Sequence, residues 1–164
     1  MAAPLIRPES PADAAAVHAV HKAAFPSDTE ARLVEAIRAN GNDRVSLVAE
    51  KQGRIVGHVL FSPVDVEGSE GIGLAPVAVL PDFQSQGIGA ALIEAGIAAC
   101  RELGVKFVVV LGEPRYYQRF GFRPTHLGNE YGVGEEFMAL ELDPHATAAL
   151  HGVVKYGREF SELA

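Results

Sequence analysis

The chain has 164 residues, 48% of them hydrophobic, and its single cysteine, Cys100, excludes an intramolecular disulfide and a CxxC metal pair. That length allows one good core and is short for two ordinary domains, so residues 1–164 are expected to form a single domain. A formal charge of −7 disfavours broad binding to phosphate backbones, so no nucleic-acid partner is expected, and it mildly favours cationic partners.

The start, Met1-Ala2-Ala3-Pro4-Leu5-Ile6-Arg7, lacks the basic-then-apolar layout of a secretory signal. No apolar run approaches the ~18 residues of a membrane span. The expectation is a cytoplasmic protein with no membrane association, in which Cys100 is a core residue.

After a short apolar start at Leu5-Ile6, Ser10-Pro11-Ala12-Asp13 reads as a helix N-terminus, with Val17, Val20 and Ala24 on one face behind it. Ser27-Asp28-Thr29-Glu30 repeats the logic as a capping box, and Leu33, Val34 and Ile37 form a second stripe that stops at Gly41. From Val45 the period changes to alternation. The turn Lys51-Gln52-Gly53-Arg54 then predicts a hairpin between Val45–Glu50 and Ile55–Val66. A second turn at 67–71 leads into a strand over Ile72–Leu80, and the β-branched run Val105–Leu111 suits a strand buried on both faces.

Between those two strands lies the longest predicted helix, Gly87 to Leu103, with Ile88, Leu92, Ala95, Ala99 and Leu103 on one face and Gly104 as its stop. Strand, helix, strand implies a crossover between parallel strands. Further strands are expected at Glu135–Leu142 and Val153–Tyr156, with a short helix over His145–Leu150.

The main chemical signal is the run from Leu80-Pro81-Asp82-Phe83 through Gln84-Ser85-Gln86-Gly87-Ile88-Gly89-Ala90, where a strand ends at a proline and a Gly-rich turn opens a helix. A helix start offers unpaired N–H groups and the positive dipole end, a pair of features that binds pyrophosphate. Gly87 and Gly89 let a ligand approach the backbone. A Rossmann GxGxxG would need glycine where Leu92 stands, and a P-loop would need Gly-Lys-Ser/Thr, which is absent.

What remains, Gln84-x-x-Gly87-x-Gly89, resembles the Q/R-x-x-G-x-G/A signature of GNAT acetyltransferases. Two features accompany it: Pro76 inside a strand pattern, where the missing N–H predicts a bulge or open edge, and Tyr116-Tyr117-Gln118-Arg119-Phe120-Gly121-Phe122, similar to the family's Tyr-x-x-x-Gly-Phe ending. The resemblance spans Phe25 to Leu142. Over Gly73–Phe122, including Leu111-Gly112-Glu113-Pro114, it is particularly similar to the YhbS-like branch of predicted bacterial acetyltransferases.

The resemblance implies an α/β GNAT fold, with a mixed sheet splayed between the Ile72 and Val105 strands, and acetyl-CoA as cosubstrate without a metal. Loop amides from Gln84, Ser85, Gln86, Gly87, Ile88, Gly89 and Ala90 would hold the pyrophosphate, and backbone groups of Val77, Ala78 and Val79 the pantetheine arm. Tyr117 is the implied general acid for the thiolate, or else a packing tyrosine. Glu113 is a candidate general base, or else a first-turn charge favoured by the helix dipole.

The implied activity is N-acetylation of a primary amine on a small molecule or peptide, in a direct ternary complex, with a homodimer through the C-terminal strands left open. The segment Pro81–Leu92 contains no Arg or Lys, so phosphate binding is expected to rest mainly on backbone amides, with Arg115, Arg119 or Arg123 as the distant basic groups that a steep salt dependence would implicate. Two other readings stay open: a non-catalytic acyl-CoA-binding module, and a toxin-like acetyltransferase of aminoacyl-tRNA, against which net charge counts. His18 and His21, three apart on a helix, are read as an exposed face rather than a metal pair; His58 stands in a strand expected to border the acceptor cleft, where it either contacts substrate or fills space.

Overall fold

The computed structural model describes residues 3–162. The chain begins with β1 (Leu5–Pro8), then α1 (Ala14–Ala24) and α2 (Thr29–Ala39), followed by β2 (Val45–Lys51), β3 (Arg54–Val66) and β4 (Ser69–Val79). Helix α3 (Ile88–Glu102) leads to β5 (Phe107–Leu111) and the short α4 (Pro114–Gln118). The last third holds β6 (Arg123–Pro124), β7 (Gly128–Asn129), β8 (Phe137–Glu141), β9 (Val153–Tyr156) and α5 (Arg158–Glu162). The sheet order is β1-β2-β3-β4-β5-β8-β6, with β9 pairing β3 and β7. No helix among the described residues is long and apolar enough to cross a membrane.

The two faces of the sheet are set by the alternation along β3. A Cβ on Gly57 would meet Leu92 and Ile88, and Phe61 lies against Gly96, so the odd positions face α3. Leu60 packs with Leu33, Val34 and Ile37 of α2, so the even positions face α1 and α2. Both expected N-terminal helices form, and Val17, Val20, Leu33, Val34 and Ile37 are all buried.

The seam between β4 and β5 positions the site. These strands are parallel, as the strand-helix-strand order required, but they pair only at Ile72↔Val108 and Gly73↔Val109. Beyond Gly73 the β5-facing edge of β4 is unpaired, while its other edge stays bonded to β3 through Val59↔Val77, His58↔Ala78 and Gly57↔Val79. The β3–β4 register shifts between Val59 and Phe61, which places both Ala75 and Pro76 opposite Leu60. This is the bulge that Pro76 predicted.

Several local expectations are corrected. The Ser27–Glu30 capping box does not form: Asp28 occupies the N-cap position, so Ser27 lies one residue too far out, and its Oγ accepts from Thr29 N at 3.3 Å. Ser10 and Asp13 do form their box, but around a single 3₁₀ turn at Pro11–Asp13, and α1 starts at Ala14. The buried face of α3 is Ile88, Leu92, Ile93, Gly96, Ile97 and Cys100, whereas Leu103, the C-cap, is 61% exposed. Residues 143–149 form successive turns rather than a helix.

Gly96 permits that rotated face, since an added Cβ would run into the Phe61 ring. Alanine is the better helix former by ~1 kcal/mol, but overpacking a core costs ~1–3 kcal/mol. Gly96→Ala is therefore expected to lower stability by ~1 kcal/mol in chemical denaturation, and a gain would show that Phe61 can turn away.

Candidate functional site

The stretch from Leu80 to Gly87 is built to leave donors free. Gln84 Nε2 donates to the Val79 carbonyl at 2.9 Å, fastening the loop to the end of β4. Ser85 and Gly87 then take left-handed conformations (φ 63 and 85), and Gly87 is the N-cap of α3. Ala91 N is the first amide to find a helical acceptor, the Gly87 carbonyl at 3.0 Å, and no side chain caps this end. The N–H groups of Ile88, Gly89 and Ala90 are therefore the orphan donors of the helix start.

A cavity of about 500 Å³ opens in front of them, lined by Val79, Phe83, Gln84 and Ser85 on one side and by Gly87 to Ala90 on the other. Tyr116 and Arg119 of the α4 region close it. The Arg119 guanidinium sits 4.5 Å from the Tyr116 ring centroid, a cation–π contact that fixes it at the cavity. Gln86 turns aside, where its Oε1 accepts from Lys51 Nζ at 3.3 Å. The donors, the glycines and one guanidinium fit a pyrophosphate.

Of the predicted site residues, Gln84, Ser85, Gly87, Ile88, Gly89, Ala90 and Val79 therefore meet at one cavity. Val77 and Ala78 lie further up β4, on the unpaired side of the seam. Phe83 and Tyr116 were missed, and Arg119 was weighed in the sequence only as a distant basic group. The signal for Tyr116 and Arg119 was their i, i+3 spacing at α4, which puts them on one side.

Tyr117 does not line the cavity. Its ring packs edge-on against Tyr116 (centroids 5.1 Å apart) and Phe122 (5.9 Å), and it covers Gly112, where a Cβ would strike it. Burial, with a contribution from Tyr116, pushes its phenol up to about 12, so it is fully protonated at neutral pH. Glu113 is the exposed N-cap of α4, and its carboxylate accepts from Arg115 N at 3.4 Å. The geometry gives it a capping role.

The histidines differ from expectation. His18 is partly exposed and its Nδ1 lies 2.8 Å from Glu35 Oε2, but His21 is fully buried. His21 Nε2 is 2.8 Å from Nδ1 of the equally buried His58, and His58 Nε2 is 2.8 Å from Ser46 Oγ. Ser46 donates to Glu9 Oε1, and Arg38 holds Glu9 Oε2. Because Ser46 gives its proton to Glu9, it accepts from His58 Nε2–H, and His58 Nδ1 in turn accepts from His21 Nε2–H. The atom of this network left without a partner, His21 Nδ1, is then a bare lone pair, not a buried N–H.

That assignment requires both rings to be neutral. Burial, reinforced by His58, holds the His21 ring down at about 3, and burial also lowers His58 against the opposing pull of Glu9. For Glu9, burial alone would raise the carboxyl, but the bonds from His58 and Ser46 and the charge of Arg38 outweigh it and hold it at about 2. Among the described residues, no group of three or more His, Cys, Asp or Glu could hold a metal ion.

Three comparisons bear on this geometry. The model of the acetyltransferase (GNAT) family matches residues 14–122. The chain is 37% identical over 166 residues to the Escherichia coli (strain K12) protein named uncharacterized N-acetyltransferase YhbS, covering 97% of this chain and 99% of that one. The crystal structure of E. coli YhbS in complex with CoA superposes with a TM-score of 0.93 at 36% identity, over 98% of this chain and 93% of that chain. A GNAT family acetyltransferase from Brucella melitensis in complex with acetyl-CoA gives 0.82 at 38% identity, over 96% and 97%.

The histidine network predicts how stability depends on acidity. A histidine depressed in the folded state contributes stability that is complete above its unfolded value near 6.5 and is lost as pH falls towards the folded value. Glu9 adds a loss of the same sign between its ordinary value of 4.5 and about 2. Between pH 6.5 and 4.5 each linked proton amounts to ~1.4 kcal/mol per pH unit, or ~3 °C in Tm for a chain of this size. Tm should fall over that window, and His21→Leu should flatten the slope. A flat profile in the parent protein would show that the rings are not held neutral.

Proposed function

This chain belongs to the acetyltransferase (GNAT) family of N-acetyltransferases, and from that premise we propose that it binds acetyl-CoA at the Gly87 cavity and acetylates a primary amine in a direct ternary complex. The observation that carries the reading is the set of uncapped amides at Ile88, Gly89 and Ala90 facing a cavity beside the unpaired seam. Acetyl-CoA supplies an activated acyl group on sulfur.

The residues divide the remaining work. The Ile88–Ala90 amides and Arg119 neutralise the pyrophosphate. The β5-facing edge of β4 from Val77 to Val79 has no strand partner, which leaves backbone donors and acceptors to hold an extended arm and to polarise its carbonyl. Tyr117 keeps its proton at neutral pH and passes it to the departing sulfur, and the proton that the neutral acceptor nitrogen sheds on acylation restores the phenol. Glu113 is retained as a base only through its position beside Gly112, since its carboxylate already caps α4. The protein is read as cytoplasmic, and the C-terminal strands are read as a route to a homodimer.

Two measurements test this. Tyr117→Phe should lower kcat by ~100-fold with acetyl-CoA affinity nearly unchanged. Because Tyr116 rather than Tyr117 lines the cavity, Tyr116→Phe is the necessary partner, and a loss confined to that variant would reassign the acid. In calorimetry, acetyl-CoA binding should weaken only gently with added salt, and Arg119→Ala should weaken it several-fold and make that dependence gentler still. A steep salt dependence that survives Arg119→Ala would place the phosphate-binding charge elsewhere.

A further inference from the structure

A second cavity, about 260 Å³, opens where the seam begins. Its floor is Leu74 and Ala75 of β4 with Leu111 of β5, the residues just past the last paired positions, Gly73 and Val109. Its walls are Tyr131, Val133, Tyr156 and Phe160. The seam joins the two cavities, since Ala75 borders one and Val79 the other, four residues or ~13 Å along the strand. A group held at the Gly87 end by its phosphates and extended along the seam would present its other end here.

The walls are fixed by hydrogen bonds within the 129–133 segment and from it to β9. Asn129 Oδ1 accepts from Tyr131 N at 2.9 Å and its Nδ2 donates to the Val133 carbonyl at 2.8 Å, which holds the loop carrying both residues. Glu130 Oε1 accepts from Tyr156 N at 3.1 Å and ties that loop to β9. The Tyr156 ring lies against Gly73, at the root of the seam, and packs on Tyr131 (5.8 Å) and Phe160 (5.0 Å). Held in this way, three rings form an apolar box that is already organised for a ligand.

Acidic groups outnumber basic ones around the box: Lys155 and Arg158 flank Tyr156, and Arg158 lies 3.6 Å from Glu162. From Pro124 to Leu142 the sequence contains no Lys or Arg, while Glu130, Glu135 and Glu136 flank Tyr131 and Val133 and are exposed. Glu113 follows Leu111 by two residues. An apolar aromatic floor under an acidic rim suits an ammonium carried on an apolar body. A volume below the ~300 Å³ at which drug-sized pockets begin limits that body to about one ring or a branched alkyl group.

We infer that this box is the acceptor pocket and that the acceptor is a small primary amine whose body is aromatic or branched aliphatic, not a polyamine, an aminoglycoside or a lysine side chain. The inference rests on the acetyl transfer proposed above: the bound ammonium first gives one proton to solvent, then the nitrogen–acyl bond forms as the sulfur–acyl bond breaks, and a second proton leaves nitrogen as sulfur gains one.

The test uses phenethylamine as the probe, with two readouts. Calorimetry on the CoA-loaded protein reads binding alone, and thiol release from acetyl-CoA reads transfer, with ethanolamine, spermidine and lysine amide for comparison. Phenethylamine should bind, and its kcat/KM should exceed that of ethanolamine by at least ~10-fold. Tyr131→Ala, at a half-exposed position, should raise the phenethylamine Kd and KM by ~10-fold with Tm kept within ~2 °C. Transfer to the polar amines without phenethylamine binding, or phenethylamine binding that ignores Tyr131→Ala, overturns the pocket while leaving the acetyltransferase reading intact. Binding that Tyr131→Ala weakens, with no thiol release from any amine, upholds the pocket and sinks the transfer.

Discussion

Everything about the site depends on the parallel pairing of β4 with β5 stopping after two residue pairs. Pro76 has no N–H to give, and the Ala75-Pro76 bulge opposite Leu60 bends β4 as it leaves Gly73. The strand does not float free, because β3 keeps its bonds to the other edge as far as Val79. An open backbone edge is thereby made rigid, which is the condition for a preorganised binding groove. The two ends of the divergence then place the functional groups: Val79 anchors Gln84 and with it the start of α3, and Leu111-Gly112 carries β5 into α4 with Tyr116, Tyr117 and Arg119.

The layer behind the seam is braced in an unusual way. His58 pairs with Ala78 across β3 and β4, and its ring bonds to His21 of α1 on one side and, through Ser46 of β2, to Glu9 on the other. Burying two histidines is unfavourable unless each ring is neutral and nearly every polar atom is met. Here the chain is directional, with each donor served by the next acceptor until the final lone pair. Such a chain fixes the relation of α1 to the strand that backs Ala78 more sharply than apolar contact would.

Much of this was legible in the sequence because it rested on local rules. The hairpin turns, the Gly87 helix start and the Pro76 bulge each follow from what glycine and proline allow. What was missed rested on partners distant in the chain. The face of α3 could not be read from its apolar residues alone, because Gly96 is its deepest point and receives Phe61 from β3. His21 looked like a surface residue until β3 brought His58 to it. Helix α5 escaped notice because Glu159, a buried carboxylate, is held by Asn40 and Asn42 from the other end of the sequence. Tyr116 was overlooked beside Tyr117 because a doublet shows two rings but not which one faces the cavity.

The seam is also electrically asymmetric, which makes sense of an acidic chain in a family whose proposed cosubstrate is anionic. At the Gly87 end, the donors are backbone amides at the positive end of a 15-residue helix, joined by Arg119 at the cavity and Lys51 beside Gln86. Amide dipoles are fixed in place and add no net charge, so phosphate can be bound without a basic surface, and the formal charge of −7 does not oppose it locally. At the Leu74 end the glutamates dominate and the box is aromatic. A groove positive at one mouth and negative at the other sorts an anion and a cation to opposite ends before any side chain selects between them. Under the proposed function, that polarity orients both substrates towards the same stretch of unpaired β4.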